Sequence, residues 1–282
     1  MRNYLLGGAQ LGQGYGHFVS NPMPTGESLS KLMTYAFSKG INEIDGAQNY
    51  SQMFEQIAKI DLVSKFSIGT KIEYKSSEEG QIISDLRGTF SNLRRTSFSF
   101  LLIHNWHRLE ARDKRNAFNF LIRLKNEGIC SKIGISVYEV NEIEDCFKNV
   151  DIIQAPLNFF NISFLKDHRV LKLRELGLEF HARGIFHQGT LLNSSRASEI
   201  FPSDFAKFEE FCVKNNFSKI QAALAVYDTQ EIFSRLVIGV NSDEELSSIL
   251  DTPIVDRATN IHLLDLPHDQ ILVDPRRWVD IK

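Results

Sequence analysis

FSFLLIHNWHRLEARDKRNAFNFLIRLKNEGICSKIGIS, residues 98–136, holds one complete repeat of the fold. Phe98–Ile103 is an apolar run of strand length that ends in the polar turn His104-Asn105. Arg108–Glu127 then has the helical period and stops at Gly128, the residue a left-handed C-cap favours, and Lys132–Ser136 is a second short apolar run. The same alternation recurs on both sides of this stretch. Strands are predicted at Tyr4–Leu6, Asn42–Asp45, Phe66–Thr70, Asp151–Gln154, Glu179–Ala182 and Arg235–Ile238, making eight in all. Helices are predicted at Glu27–Lys39, Gln52–Ile60, Glu78–Arg95, Val140–Phe147, Ser163–Leu176, Asp204–Asn215 and Ser242–Leu250.

Eight strand–helix units without a proline-rich or low-complexity linker predict one α/β domain over residues 1–282, a single (β/α)8 TIM barrel. The competing architecture is a doubly wound sheet, which would carry a GxGxxG fingerprint after its first strand. Gly7, Gly8, Gly12, Gly14 and Gly16 do not have that spacing, and no GK[ST] comes after them. A barrel places its chemistry at the C-terminal ends of the strands.

Composition narrows the function classes. There are 32 Lys and Arg against 35 Asp and Glu, a formal charge of −3 and a pI near 6.3, so no bulk basic field exists for nucleic acid or an anionic membrane. A small-molecule ligand is expected. Cys130, Cys146 and Cys212 are far apart and read as reduced thiols, the N-terminus has no signal-peptide core, and no apolar run approaches ~20 residues, so a cytoplasmic location is expected. The 21 phenylalanines require a large continuous core.

Ionisable residues at the predicted strand ends form one chemical device. Asp45 ends the second strand, with Tyr50 five residues on; Lys71 ends the third and His104 the fourth. A tyrosine is a poor acid at neutral pH unless a nearby ammonium stabilises its phenolate. Lys71 supplies that charge, Asp45 keeps the lysine cationic, and His104 can orient a substrate carbonyl toward Tyr50. His104 and His107 have the spacing of a metal pair only on a helix, and they stand in the turn after a strand, so no metal is expected.

The segments Asp45-Gly46-Ala47-Gln48-Asn49-Tyr50, Thr70-Lys71, Leu102-Ile103-His104 and Ile133-Gly134-Ile135-Ser136 resemble the tetrad motifs of the aldo-keto reductase superfamily, in matching order. The similarity runs from Leu6-Gly7-Gly8-Ala9-Gln10 to Val237–Ser242. The resemblance implies reduction of an aldehyde or ketone by NADP or NAD bound across the barrel mouth. Tyr50 would be the general acid, His104 the carbonyl-orienting group, and Asp45 with Lys71 the pair that tunes the tyrosine. Cofactor contacts are implied at Gly8, Ala9 and Gln10, at Ser136 and Gln154 for the carboxamide, and at Arg183, Gly184, Gly239, Asn241, Ser242 and Glu245.

Three departures from the family pattern bear on function. Val137 stands where an asparagine usually comes after the serine; Arg183 stands where an aromatic ring usually stacks on the nicotinamide; Asn241 and Glu245 stand where NADPH-preferring members carry basic residues. An acidic Glu245 would disfavour a 2′-phosphate and accept from a 2′-hydroxyl, which leaves NADP and NAD both open. His181–Gly189 is similar to a bacterial subgroup associated with sugar and surface-polysaccharide metabolism, so the expected partner is a small carbonyl compound or sugar. A polar mouth bearing His17, Asn105, Trp106, Asn158 and Arg183 would suit it. The protein is expected as a monomer or small homo-oligomer. Alternative readings are a redox-neutral epimerase using the same residues and a catalytically idle, cofactor-sensing subunit.

Overall fold

Side chains alternate sides along a strand, and in this chain one alternate set is apolar apart from small polar residues such as Thr70 and Ser99. Leu6, Ile44, Ile68, Leu101, Ile103, Ile133, Ile135, Ile153, Phe180, Ala182, Leu236 and Ile238 all enter one core. A sheet apolar on most of that face needs a covering layer, and amphipathic helices supply it. The computed structural model describes residues 2–12, 14, 16, 22–50, 52–143, 150–193, 195–258 and 268–280. Its strands are β1 (Tyr4–Gly7), β2 (Glu43–Asp45), β3 (Ser67–Ile72), β4 (Phe98–Ile103), β5 (Cys130–Ser136), β6 (Ile152–Pro156), β7 (Glu179–Arg183) and β8 (Phe233–Ile238). They form a closed parallel barrel in sequence order, shut by pairing of β1 with β8 at Leu5↔Val237. The fold is the predicted (β/α)8 barrel.

The other alternate set fills the inside in layers. Leu5, Phe100, Leu102 and Ile152, with Val237 against them, plug the middle. Gly69 makes room for this plug, since a Cβ there would lie 2.0 Å from Cζ of Phe100. Toward the N-terminal end the inward side chains are charged and paired, Arg235 with Glu43 at 3.0 Å and Lys132 with Glu179. Toward the C-terminal end they are Asp45, Lys71, Ser136 and Gln154, all buried. The phenylalanines mostly occupy the layer outside the barrel: Phe159 packs on Phe208 and Phe211, and Phe160 on Phe205.

Several helices differ from the predicted ones. Ser163–Leu176 is two helices, Ser163–Lys166 and His168–Glu175, broken at Asp167, whose side chain accepts from Arg169 N–H and so starts the second. Lys219–Asp228 is a helix with no counterpart in the expectation, because Ala222 to Asp228 are all buried and no polar face alternates with the apolar one. Of the predicted helix Val140–Phe147, the described part is a 3-10 turn at Val140–Glu142; residues 144–149, including Cys146, lie outside the described residues. Cys130 and Cys212 are free and buried. Arg2 ties the segment before β1 to the end of the helix Lys219–Asp228 and to the turn at Thr252–Pro253: its guanidinium donates to both oxygens of Asp228, each at 2.7 Å, and to the carbonyls of Thr252 and Pro253.

Candidate active site

The loop after β2 is pinned along the end of β3. Gly46 N–H donates to Gly69 O at 2.9 Å, Gln48 N–H to Lys71 O at 2.8 Å, and Tyr50 N–H turns back onto Ala47 O at 3.1 Å. This brings Tyr50 over the ring of strand ends. Asp45 is the last residue of β2, Lys71 the penultimate residue of β3, and His104 the first beyond β4, its N–H held by Ile72 O at 2.7 Å. All four line one cavity of about 630 Å³ at the C-terminal end of the barrel.

Lys71 Nζ lies 2.6 Å from Asp45 Oδ2, and both side chains are essentially out of solvent, at 1% and 5% exposure. Burial pulls the lysine pKa below its ordinary value, with the Asp45 carboxylate pulling the other way. The ammonium is 5.6 Å from the centre of the Tyr50 ring, close enough to act on the charge of its phenol. Tyr50 and His104 meet edge to face at 6.1 Å. Burial, then the charges of Lys71 and Arg183, push the His104 pKa down to about 3, so at neutral pH its imidazole is uncharged and carries a single N–H. This arrangement can hold an oxygen between a neutral imidazole and a phenol, with a cation behind the phenol.

Gly8, Ala9, Gln10, Gln154, Arg183, Gly184, Gly239, Asn241 and Glu245 line the same cavity. Gln154 points its amide N–H at Asp45 Oδ1, 3.0 Å away. Its Oε1, and Oγ of Ser136 on the neighbouring strand, are buried with no hydrogen-bond partner among the described residues. Ser136 and Ser242 do not line the cavity. Ser242 instead caps the helix Asp243–Leu250, accepting from Glu245 N–H, while Glu245 Oε2 accepts from Asn241 N–H at 2.8 Å. With Asp243, Glu244 and Glu245 in its first turn, that helix end is a poorer anion site than its backbone alone would make. Gly184 holds φ at 72°, left-handed backbone that disfavours a serine there.

The polar mouth is only partly as expected. Asn105 is turned onto the backbone of Tyr74, and Trp106 is buried with its indole N–H on Glu142 O. His17 lies outside the described residues. Asn158 and Arg183 line a second cavity of about 550 Å³ beside the first, and Tyr138, Arg183, Gly184 and Gln188 line both.

Three residues of this second wall escaped sequence reasoning. The Tyr138 ring carries two guanidinium groups, Arg183 at 4.2 Å and Arg276 at 4.1 Å. His187, at a left-handed φ of 51°, ties the loop after β7 to the C-terminal segment. Its Nδ1 meets Thr190 Oγ1 at 2.8 Å, its Nε2 meets Leu272 O at 2.9 Å, and its ring packs on Trp278. The His-Gln pair before Gly189 gives no hint of this, because Leu272 and Trp278 lie about ninety residues further along the chain. Among the described residues no group of three or more metal-ligating side chains occurs, and no helix is long and apolar enough to cross a membrane.

Comparison with known proteins agrees with the geometry. The chain is 26% identical to the D-arabinose 1-dehydrogenase of Saccharomyces cerevisiae, covering 88% of this chain and 81% of that protein. Its fold matches the glycerol dehydrogenase of Gluconobacter oxydans at a TM-score of 0.72 and 18% identity, covering 95% of this chain and 94% of that one. An aldo-keto reductase of Bacillus halodurans in its holo form matches at 0.70 and 16% identity, with the same coverage. The family described as "Aldo/keto reductase family" matches residues 5–252. With that match over most of the barrel, the chain belongs to the aldo/keto reductase family and is an oxidoreductase.

Proposed function

We propose that this oxidoreductase reduces the aldehyde or ketone of a small compound, a keto sugar or sugar derivative, at the expense of NADPH or NADH, with Tyr50 as the general acid. The observation that carries the reading is the buried Asp45–Lys71 pair set against Tyr50, with a neutral His104 on the same cavity. The sugar assignment draws on the two relatives named for D-arabinose and glycerol.

The residues present fit a nicotinamide. A carboxamide offers both donors and an acceptor, and Ser136 Oγ and Gln154 Oε1 are two buried polar atoms lacking partners among the described residues. Gln154 would hold the carboxamide from the cavity wall, with Ser136 beside it on the neighbouring strand. Gly8, Ala9, Gln10, Gly184 and Gly239 would line its path, with Asn241 and Glu245 toward the adenosine end. When bound, the cofactor supplies a hydride to the carbonyl carbon.

The chain's own part is the proton. His104 donates its N–H to the carbonyl oxygen and aims it at Tyr50. As negative charge builds on that oxygen, the Tyr50 hydroxyl gives up its proton, and the Lys71 ammonium stabilises the phenolate left behind. Asp45 keeps Lys71 charged and fixed. The buried thiols Cys130 and Cys212 support a reducing, cytoplasmic setting.

Fluorescence titration with NADH and NADPH, and then turnover on a carbonyl panel that includes keto sugars, tests the reading. Tyr50→Phe should bind cofactor as the wild type does and turn over at least a thousandfold more slowly. Equal turnover would overturn the acid assignment.

A further inference from the structure

Arg183 is a cation in an unfavourable place. It ends β7 in the ring of strand ends that holds Lys71 and His104, and its charge works against the protonated form of both. Yet among the described residues no carboxylate lies within ion-pair reach of it. Its one hydrogen bond there runs from Nη2 to Val137 O, 2.9 Å away. Other arginines of the barrel are neutralised: Arg2 by Asp228, Arg235 by Glu43, and Arg276 by Asp274, Glu139 and Glu142. A half-buried guanidinium that has no ion pair among the described residues, whose charge reaches the Glu142 carboxylate only through space and which stands beside a second buried cation, is costly to maintain.

Its surroundings fix it in place. The guanidinium lies on the Tyr138 ring, and Arg276 holds that ring from its own position while tied to Asp274 at 2.8 Å. Arg183 therefore presents a pre-oriented planar fork with donors to spare, the geometry suited to a two-oxygen anion. It stands where the two cavities meet, so a ligand with its carbonyl near Tyr50 and His104 has room to extend past Arg183 into the second cavity.

We propose that Arg183 docks an anionic group, a carboxylate or a phosphate, carried by the carbonyl substrate, so that the enzyme favours acidic sugars over neutral ones. This rests on the carbonyl-reductase reading above. The rival use of Arg183, pairing with the phosphates of the cofactor, is an outcome of the same test.

Three probes that differ only at C6, D-glucose, D-glucuronate and D-glucose 6-phosphate, separate the cases. Binding of each to the wild-type protein and to Arg183→Gln and Arg183→Lys is measured by calorimetry, and NADH binding to all three proteins by fluorescence. Loss of a charge-assisted bidentate contact is expected to cost about 30-fold in affinity. The expected result is that one acidic probe, or both, binds the wild type at least tenfold more tightly than glucose. That margin should vanish in Arg183→Gln and return in part in Arg183→Lys, and the acidic probe that binds identifies the anion. Equal binding of all three probes by the wild type, or an acid preference that survives in Arg183→Gln, overturns the proposal. So does a weakening of NADH binding in Arg183→Gln with the acid preference unchanged, since it assigns the charge to the cofactor. The underlying reading fails on a different measurement, absence of NADH and NADPH binding by the wild type.

Discussion

Gln154 reaches across the barrel from β6 to β2 and donates to Asp45 Oδ1 at 3.0 Å, while Lys71 takes Oδ2 of the same carboxylate at 2.6 Å. Asp45 is thus held from two sides, and the lysine position depends on a residue three strands beyond its own. Replacing Gln154 by Leu removes a neutral donor to a buried charge, a change worth about 1.5–3 kcal/mol. We expect kcat to fall about tenfold or more, the pH profile of turnover to shift and the Kd for NADH to rise, as measured by steady-state kinetics and titration. A variant with wild-type kcat and pH profile would show that Lys71 needs no such brace.

Glu245 accepts from Asn241 N–H at 2.8 Å and sits on the cavity wall. Glu245→Arg removes a carboxylate and installs a partner for a 2′-phosphate. The ratio of Kd for NADH to Kd for NADPH should rise at least fivefold. An unchanged ratio would place the ribose elsewhere.

Gly69 makes space for Phe100, and a Cβ would meet that ring at 2.0 Å. Gly69→Ala overpacks the barrel interior and should destabilise it by about 1–3 kcal/mol. Gly69→Ala with Phe100→Leu should recover part of that loss in a urea-unfolding cycle. Additive losses would show that the two positions do not compete for space.

Acid stability depends on the histidines. Burial, the leading cause at each, lowers the pKa of His104 to about 3 and those of His107 and His187 to about 4. At pH 5 these three imidazoles bind protons in the unfolded chain and not in the native one. Their contribution is therefore complete above pH 6.5 and is lost as pH falls through 4. Unfolding at pH 5 should take up about three protons from them, a slope of about 4 kcal/mol per pH unit. A flat stability between pH 6.5 and 5 would contradict it.

The barrel was legible because its signal is local: short apolar runs, glycine stops such as Gly128, and ionisable residues like Asp45 and His104 placed just where the runs end. Lys219–Asp228 was not, since burial on all sides erases helical periodicity. The meeting of Asp45, Tyr50, Lys71 and His104 on one cavity was legible for the same local reason. The Tyr138–Arg183–Arg276 cluster was not, because Arg276 comes from a C-terminal segment without periodicity and meets Tyr138 only through tertiary packing. Ser242 and Glu245 read as ligand contacts in the sequence, yet their Ser-x-x-Glu spacing is also that of a capping box, and in the fold Ser242 accepts from Glu245 N–H at the start of that helix.

The Arg2–Asp228 clamp joins residues 226 positions apart. A closed ring has no free edge, but during synthesis β1 has one until Phe233–Ile238 leaves the ribosome. At about 5–20 residues per second, that interval is on the order of tens of seconds. Throughout it the N-terminal strand waits unpaired on one side, so Arg2 and its strand complete the structure only after nearly all of the chain has been made. A substitution at this clamp would be felt first in the yield of folded protein.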